Sequence, residues 1–293
     1  MILGTDWWTD CDDCVAVRLL TRAHKRGEIK LLGAVINACA EDSVRSLDAF
    51  LTLDGCPDIP IGIDLSGDDF GGKLRYQPRL AELSRRYEKN GDAEDGVRLY
   101  RRLLAEADAP VEMIEIGFLQ TVAALLRSEG DDISSESGKE LVAKKVKKIW
   151  VMAGKWDADG ERENNFMRNA RAIAGGADFL ELCPVPVTFL GWEVGHGVLS
   201  GGDILDTGDH LRTAMQDHGS SAGRHSWDPM LTLLALIGDE EAAGYRTVRG
   251  TARLDRKDGS NYFTEGEGLH SYVIKTKPDE YYADEINRLI RDR

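Results

Sequence analysis

The chain has 293 residues and an ordinary apolar fraction of 42%, enough for one large α/β domain or two smaller ones with a full core. Its net charge of −14 repels phosphate backbones and anionic lipid, which argues against nucleic acid and membrane partners and favours a neutral or cationic small molecule or a metal ion. No apolar segment is long enough to span a bilayer, no signal-peptide pattern opens the chain, and the five cysteines (Cys11, Cys14, Cys39, Cys56, Cys183) are odd in number and irregularly spaced, so a cytoplasmic protein with reduced thiols is expected.

In chain order, residues 1–6 predict a short buried strand and 12–26 a helix whose apolar positions are Val15, Val17, Leu19 and Leu20. LLGAVINAC (31–39) predicts a second buried strand, 41–54 a helix and IPIGID (59–64) a third strand. SGDDFGGKLRYQP (66–78) is Gly-rich and irregular, the composition of a functional loop. Residues 93–107 predict a helix, 111–117 a strand and 118–129 a helix. Further strands are expected at 146–154 and 184–191, with DDISSESGKE (131–140) as an exposed loop. Strands alternating with helices predict a single-domain, mostly parallel Rossmann-like sheet over residues 1–293, with helices on both faces and ligands bound at the strands' carboxyl ends.

At that edge, directly after the first strand, GTDWWTDCDDCVA (4–16) crowds Asp6, Asp10, Asp12 and Asp13 into eight positions. Converging carboxylates repel unless a cation neutralises them, and an all-oxygen set suits Ca²⁺ or Mg²⁺. The plain alternative is a solvated acidic turn with one aspartate capping the helix. An EF-hand lacks its glycine and distal glutamate here. An aspartate-nucleophile phosphatase would place a second Asp where Trp8 stands. Cys11 and Cys14 have CxxC spacing, but no second CxxC or close His pair completes a zinc site, and the intervening aspartates weaken the thiols as nucleophiles.

The stretch resembles the N-terminal signature of the inosine–uridine-preferring nucleoside hydrolases, D-T-D, a glycine-containing turn, then D-D-A. ILGTDWWTDCDDCVA keeps Asp6, Thr9, Asp10, Asp12 and Asp13, and departs from it at Gly4, where the family has its first Asp, and at Trp7 and Trp8. Later landmarks follow in order: Asn37 after the second strand, IGFLQTVAALL (116–126), WVMAGKW (150–156), ENNF (163–166), PVTFLGWEVGH (186–196) and SWDPMLTLLAL (226–236). The resemblance covers residues 1 to about 240.

It implies the nucleoside hydrolase fold and Ca²⁺-dependent cleavage of a ribonucleoside's N-glycosidic bond. Asp6, Asp13, Asp228 and the carbonyl of Gln120 would hold the metal, and Asp6 would also be the base for the attacking water. Asp12, Asn37, Glu163 and Asn165 would hold the ribose, with His196 near the pocket. Trp227 stands where many members have a histidine acid, as in the purine-preferring branch, where tryptophan stacks on the base. His225 is a candidate substitute acid, Asp10 a helix cap, and a second stacking ring could come from Phe70, Tyr76, Trp7 or Trp8. A homodimer or homotetramer is expected by analogy. Gly4, the missing histidine and the Trp pair leave open a riboside-binding or sensor protein on the same scaffold.

Overall fold

The computed structural model describes residues 1–8 and 10–292. Thr9, which the resemblance aligns, lies outside the described residues. The chain begins with β1 (Ile2–Thr5), α1 (Asp12–Lys25), β2 (Gly33–Ile36), α2 (Ser43–Leu53), β3 (Ile61–Ile63), α3 (Gln77–Ala81), β4 (Glu94–Asp95) and α4 (Gly96–Glu106). It continues through β5 (Val111–Glu115), α5 (Gln120–Arg127), α6 (Gly138–Lys145), β6 (Val146–Met152), β7 (Glu161–Arg162), α7 (Asn164–Met167), α8 (Ala170–Leu182), β8 (Val187–Leu190) and α9 (Trp192–Gly195). Last come β9 (Leu199–Ser200), α10 (His210–His218), β10 (Arg224–His225), α11 (Trp227–Ile237), β11 (Tyr245–Leu254), β12 (Ser260–Glu265), β13 (His270–Lys275) and α12 (Asp279–Arg291).

One sheet runs β4-β3-β2-β1-β5-β6-β8-β13-β11-β12-β7. From β4 to β13 every pairing is parallel, and the apolar runs of β1, β2 and β6 are buried because helices cover both faces. Beyond β13 the sheet turns antiparallel through β11, β12 and β7. Strand order reverses at β1, which has β2 on one side and β5 on the other. A crevice therefore opens at the carboxyl end of β1, where the aspartate run begins.

Two local expectations change. Residues 131–140 are not all loop, because Ser137 caps α6 in a reciprocal capping box with Glu140, an S-x-x-E pattern at 137–140. The preceding turn is pinned by the buried Arg101, which donates to Asp131 and to the carbonyls of Ser134 and Glu136. Residues 76–81, at the end of the Gly-rich stretch, enter α3 with Pro78 in its first turn.

Gly4 has a packing reason. It pairs with Glu115 on β5, and a Cβ at Gly4 would lie 1.9 Å from Glu115 Oε2 and 2.6 Å from the Tyr100 hydroxyl. The carboxyl group thus fills the side-chain space that Gly4 leaves open. Glu115 is fully buried, Tyr100 donates to its Oε1 at 2.7 Å, and burial pushes its pKa up to about 8. The folded state therefore binds a proton that the unfolded chain releases above its ordinary value of 4.5, so this group's contribution is full below that value and is lost as pH rises through about 8. Glu115→Gln is expected to match wild type near about pH 5 and to exceed it by about 2–4 kcal/mol near about pH 9, read by chemical denaturation. An equal difference at both pH values would contradict this assignment.

Candidate active site

At the carboxyl end of β1, a cavity of about 220 Å³ is lined by Asp6, Asp10, Asp12, Asp13 and Asp228, by Glu163, Asn164 and Asn165, by Ile116 and Met152, and by Trp192, Arg224 and Trp227. The ends of β1, β5, β6 and β8 contribute, together with the starts of α1 and α11. Asp6 follows β1, Asp12 and Asp13 open α1, Ile116 follows β5, Met152 ends β6, Trp192 follows β8, and Asp228 lies in the first turn of α11.

The backbone after β1 is shaped around its carboxylates. Asp13 Oδ1 accepts from the Thr5 hydroxyl and, at 3.2 Å, from the Trp7 N–H, while Asp6 Oδ1 accepts from the Trp8 N–H at 3.0 Å. Holding both acids requires Trp7 at φ +50°, the left-handed region, where it is the one non-glycine residue among those described. Burial holds it there. The Trp7 ring is fully buried edge-on to Phe50 and Tyr76, its indole N–H donates to Ser46 Oγ at 2.9 Å, and Gln77 Nε2 donates to the Trp7 and Trp8 carbonyls at 3.0 Å each. Trp8 packs with Phe70 and Phe118, which stack on each other at 3.8 Å. Of the four aromatics considered for a second stacking wall, Trp7, Trp8, Phe70 and Tyr76, none lines the cavity. They anchor the acidic turn instead.

One oxygen each of Asp12, Asp13 and Asp228 lies within 4.8 Å of the others, and all three residues are at most 5% exposed. Their pKa values are raised, first by burial and then by neighbouring carboxylates: Asp10 for Asp12, Asp6 for Asp13, and Asp12 for Asp228. The Asp228 N–H donates to Asp12 Oδ2 at 3.1 Å, so α11 brings one acid onto another. Three buried, mutually repelling, hard oxygen donors fit a divalent cation such as Ca²⁺. Cys11 and Cys14 are buried and their thiols are pushed up, mainly by burial, which leaves them as packing residues.

The expected ribose residues divide. Glu163 accepts from the N–H groups of Gly154 and Asn165 at 3.0 Å each, burial raises its pKa to about 7, and Asn165 donates to the Met152 carbonyl at 2.9 Å. Both line the cavity, as does Asp12. Asn37 is fully buried behind the wall. Its Oδ1 accepts from the Phe118 N–H at 3.0 Å, and its Nδ2 has no partner among the described residues. Gly117 packs so tightly here that a Cβ would lie 2.4 Å from the Asp6 nitrogen and 2.7 Å from Asn37 Oδ1. Gln120 lines a neighbouring cavity, where its side-chain nitrogen donates to the Asn37 carbonyl and to Asp64, while Ile116 lines the aspartate cavity.

The far wall is aromatic. Trp192 and Trp227 lie 6.3 Å apart at 29°, and the Trp227 indole N–H donates to the Trp192 carbonyl at 2.9 Å. Neither His196 nor His225 lines the cavity. His196 stacks on Trp192 at 4.1 Å and His225 on His196 at 4.5 Å, a column behind the tryptophans. The His196 pKa is lowered by lost solvation and by the neighbouring His225 and Arg224. Consecutive residues of a strand face opposite ways, so β10 sends Arg224 into the cavity and His225 behind it. The candidate acid therefore belongs to the support of the wall.

Asp10 is not the N-cap of α1, which is Cys11, without a side-chain bond. Asp10 instead grips Arg224, whose Nε lies 2.7 Å from its Oδ1 and whose Nη2 binds Oδ2. Arg224, Trp192, Met152, Asn164 and Ile116 were not among the expected site residues, although all but Arg224 lie in segments that carry the resemblance. Trp192 also had a positional signal, a tryptophan just after the carboxyl end of a strand.

No protein-family profile and no curated protein sequence matches the chain. Solved structures do. It is similar over 100% of its length to 98% of a plant nucleoside hydrolase, PpNRh1, with TM-score 0.71 and 14% identity. It is similar over 99% to 98% of the inosine–uridine-preferring nucleoside hydrolase of Bacillus anthracis, with TM-score 0.67 and 13% identity. It is also similar over 99% to 91% of the type III effector protein XopQ, solved in complex with adenosine diphosphate ribose, with TM-score 0.68 and 18% identity. The chain has the nucleoside hydrolase fold.

Proposed function

We propose that the protein hydrolyses the N-glycosidic bond of ribonucleosides, purine ribosides foremost, with Ca²⁺ as its metal. The observation that carries this reading is the pairing, in one cavity of a nucleoside hydrolase fold, of three buried converging carboxylates with a wall of two tryptophans. Asp12, Asp13 and Asp228, with Asp6 beside them, would hold the ion. When bound, it supplies the positive charge that lets these acids stay ionised together and makes an attacking water more acidic.

Asp6 takes the proton from the attacking water on its carboxylate, which the Trp8 N–H orients through Oδ1. Glu163, Asn165 and Asp12 would bind the sugar hydroxyls, with Asp12 also within reach of the ion-holding acids. The ribose that loses its base develops positive charge at the anomeric carbon, and a cavity lined by six carboxylates favours that charge over the neutral ground state. Trp192 and Trp227 offer flat apolar faces to the base. Incubation with purine, pyrimidine and nicotinamide ribosides is expected to release ribose and free base, fastest from purine ribosides and not in the presence of a chelator. Absence of ribose from the whole panel in calcium-loaded protein would contradict the reading.

A second reading, a riboside-binding protein without turnover, is favoured by the similarity to XopQ, whose structure holds adenosine diphosphate ribose. Thermal stabilisation by ribosides without any product would support it, and multiple turnovers would exclude it.

A further inference from the structure

We propose that Arg224 holds the departing base and directs the site towards 6-oxopurine ribosides; this rests on the riboside-hydrolysis reading. Arg224 is the one cation among the described residues that line the cavity, against five aspartates and a glutamate. Its guanidinium carbon lies 5.4 Å from the Trp227 ring centroid, so it sits beside the aromatic wall. Asp10 occupies Nε and Nη2 and is itself fixed by the Cys11 N–H at 2.7 Å, which leaves Nη1 without a protein partner among the described residues. Asp10 is thus a positioning residue for Arg224.

Hydrolysis breaks the bond between the anomeric carbon and the base nitrogen, and the electron pair leaves with the base. Water adds its hydroxyl to the carbon and gives its proton to Asp6. The base departs as an anion into a ring of carboxylates, which is unfavourable unless a cation lies beside it. It then takes a proton from solvent and Asp6 returns one, so a single water is consumed. The other groups at this wall cannot assist. The Trp227 N–H is committed to the Trp192 carbonyl, and the rings of His196 and His225 stack behind the wall. Arginine only donates, and a 6-oxopurine presents two acceptors on one edge, O6 and N7, whereas a 6-aminopurine puts an N–H₂ donor there.

The test compares kcat/KM for inosine, adenosine and p-nitrophenyl β-D-ribofuranoside in calcium-loaded wild type, Arg224→Met and Arg224→Lys. The p-nitrophenolate group leaves without assistance. Wild type is expected to prefer inosine to adenosine. Arg224→Met should lose about 10²-fold on inosine, less on adenosine, and no more than about threefold on the p-nitrophenyl riboside. Arg224→Lys, which keeps the charge, should recover part of the inosine rate. An equal loss on all three substrates, or undiminished turnover of inosine, would overturn the assignment. Wild type that cleaves adenosine and the p-nitrophenyl riboside but not inosine would also overturn it while leaving riboside hydrolysis intact. Wild type that cleaves none of the three would overturn the hydrolysis reading itself.

Discussion

Asp6→Asn is expected to lower kcat for riboside hydrolysis by about 10³-fold, the scale of a general base, while the protein still folds and binds ribosides. The substitution keeps the side chain's size and an oxygen for the Trp8 N–H, which donates to Asp6 Oδ1 at 3.0 Å, so the turn after β1 should keep its shape. What it removes is the capacity to accept a proton in the cavity, together with one charge from the acids that would hold the ion, so the rates are compared at saturating Ca²⁺. Pre-steady-state and steady-state rates on inosine would read the loss directly. A variant that keeps more than about a tenth of wild-type kcat would remove Asp6 from the base role.

Asp228→Asn is expected to act in opposite directions with and without metal. In the metal-free protein, Asp228 faces Asp12 and Asp13 across less than 4.8 Å, all three buried, and deleting one charge relieves repulsion on the order of 1–2 kcal/mol. The melting temperature without metal should therefore rise. With Ca²⁺ at about 100 times its Kd, wild type should gain about 2.7 kcal/mol and the variant much less, because one of its three converging donors has lost its charge. Calorimetry with and without Ca²⁺ would separate the two effects. A variant destabilised in the absence of metal and stabilised by Ca²⁺ as strongly as wild type would show that the cluster is structural.

The parallel half of the sheet was legible because its strands are buried on both faces. Runs such as VEMIEIG and VKKIWVMAG have few other ways to fold when helical segments separate them. The antiparallel continuation through β11, β12 and β13 was not anticipated. β11 does alternate between buried and exposed residues, but alternation names a strand without naming its partner, and β11 pairs with β13 before the parallel sheet is reached.

Among the expected site residues, Asp6, Asp12, Asp13, Glu163, Asn165, Trp227 and Asp228 line the cavity, and their places just after strands and at helix starts were readable. Those whose role turns on a local direction were not. Arg224 and His225 are adjacent, and only strand parity decides which one enters the cavity. The Gln120 side chain turns to Asn37 and Asp64 at a neighbouring cavity, and Trp7 and Trp8 point into the core although they flank the proposed base. The replacement of two turn residues by tryptophan reads, in the sequence, as an altered pocket. In the fold their buried rings pin the acidic turn, with Trp7 held at a positive φ that glycine adopts more readily.

We propose that this cavity joins metal-assembled acids to hydrolysis of an N-ribosidic bond. Reducing-sugar release from inosine should be followed in calcium-loaded protein, after chelation, and after Ca²⁺ is restored. Ribose appearing over many turnovers, abolished by the chelator and recovered with Ca²⁺, is the predicted result. Equal ribose release with and without the chelator would contradict the role given to Asp12, Asp13 and Asp228, and no release in any arm would contradict the hydrolysis itself.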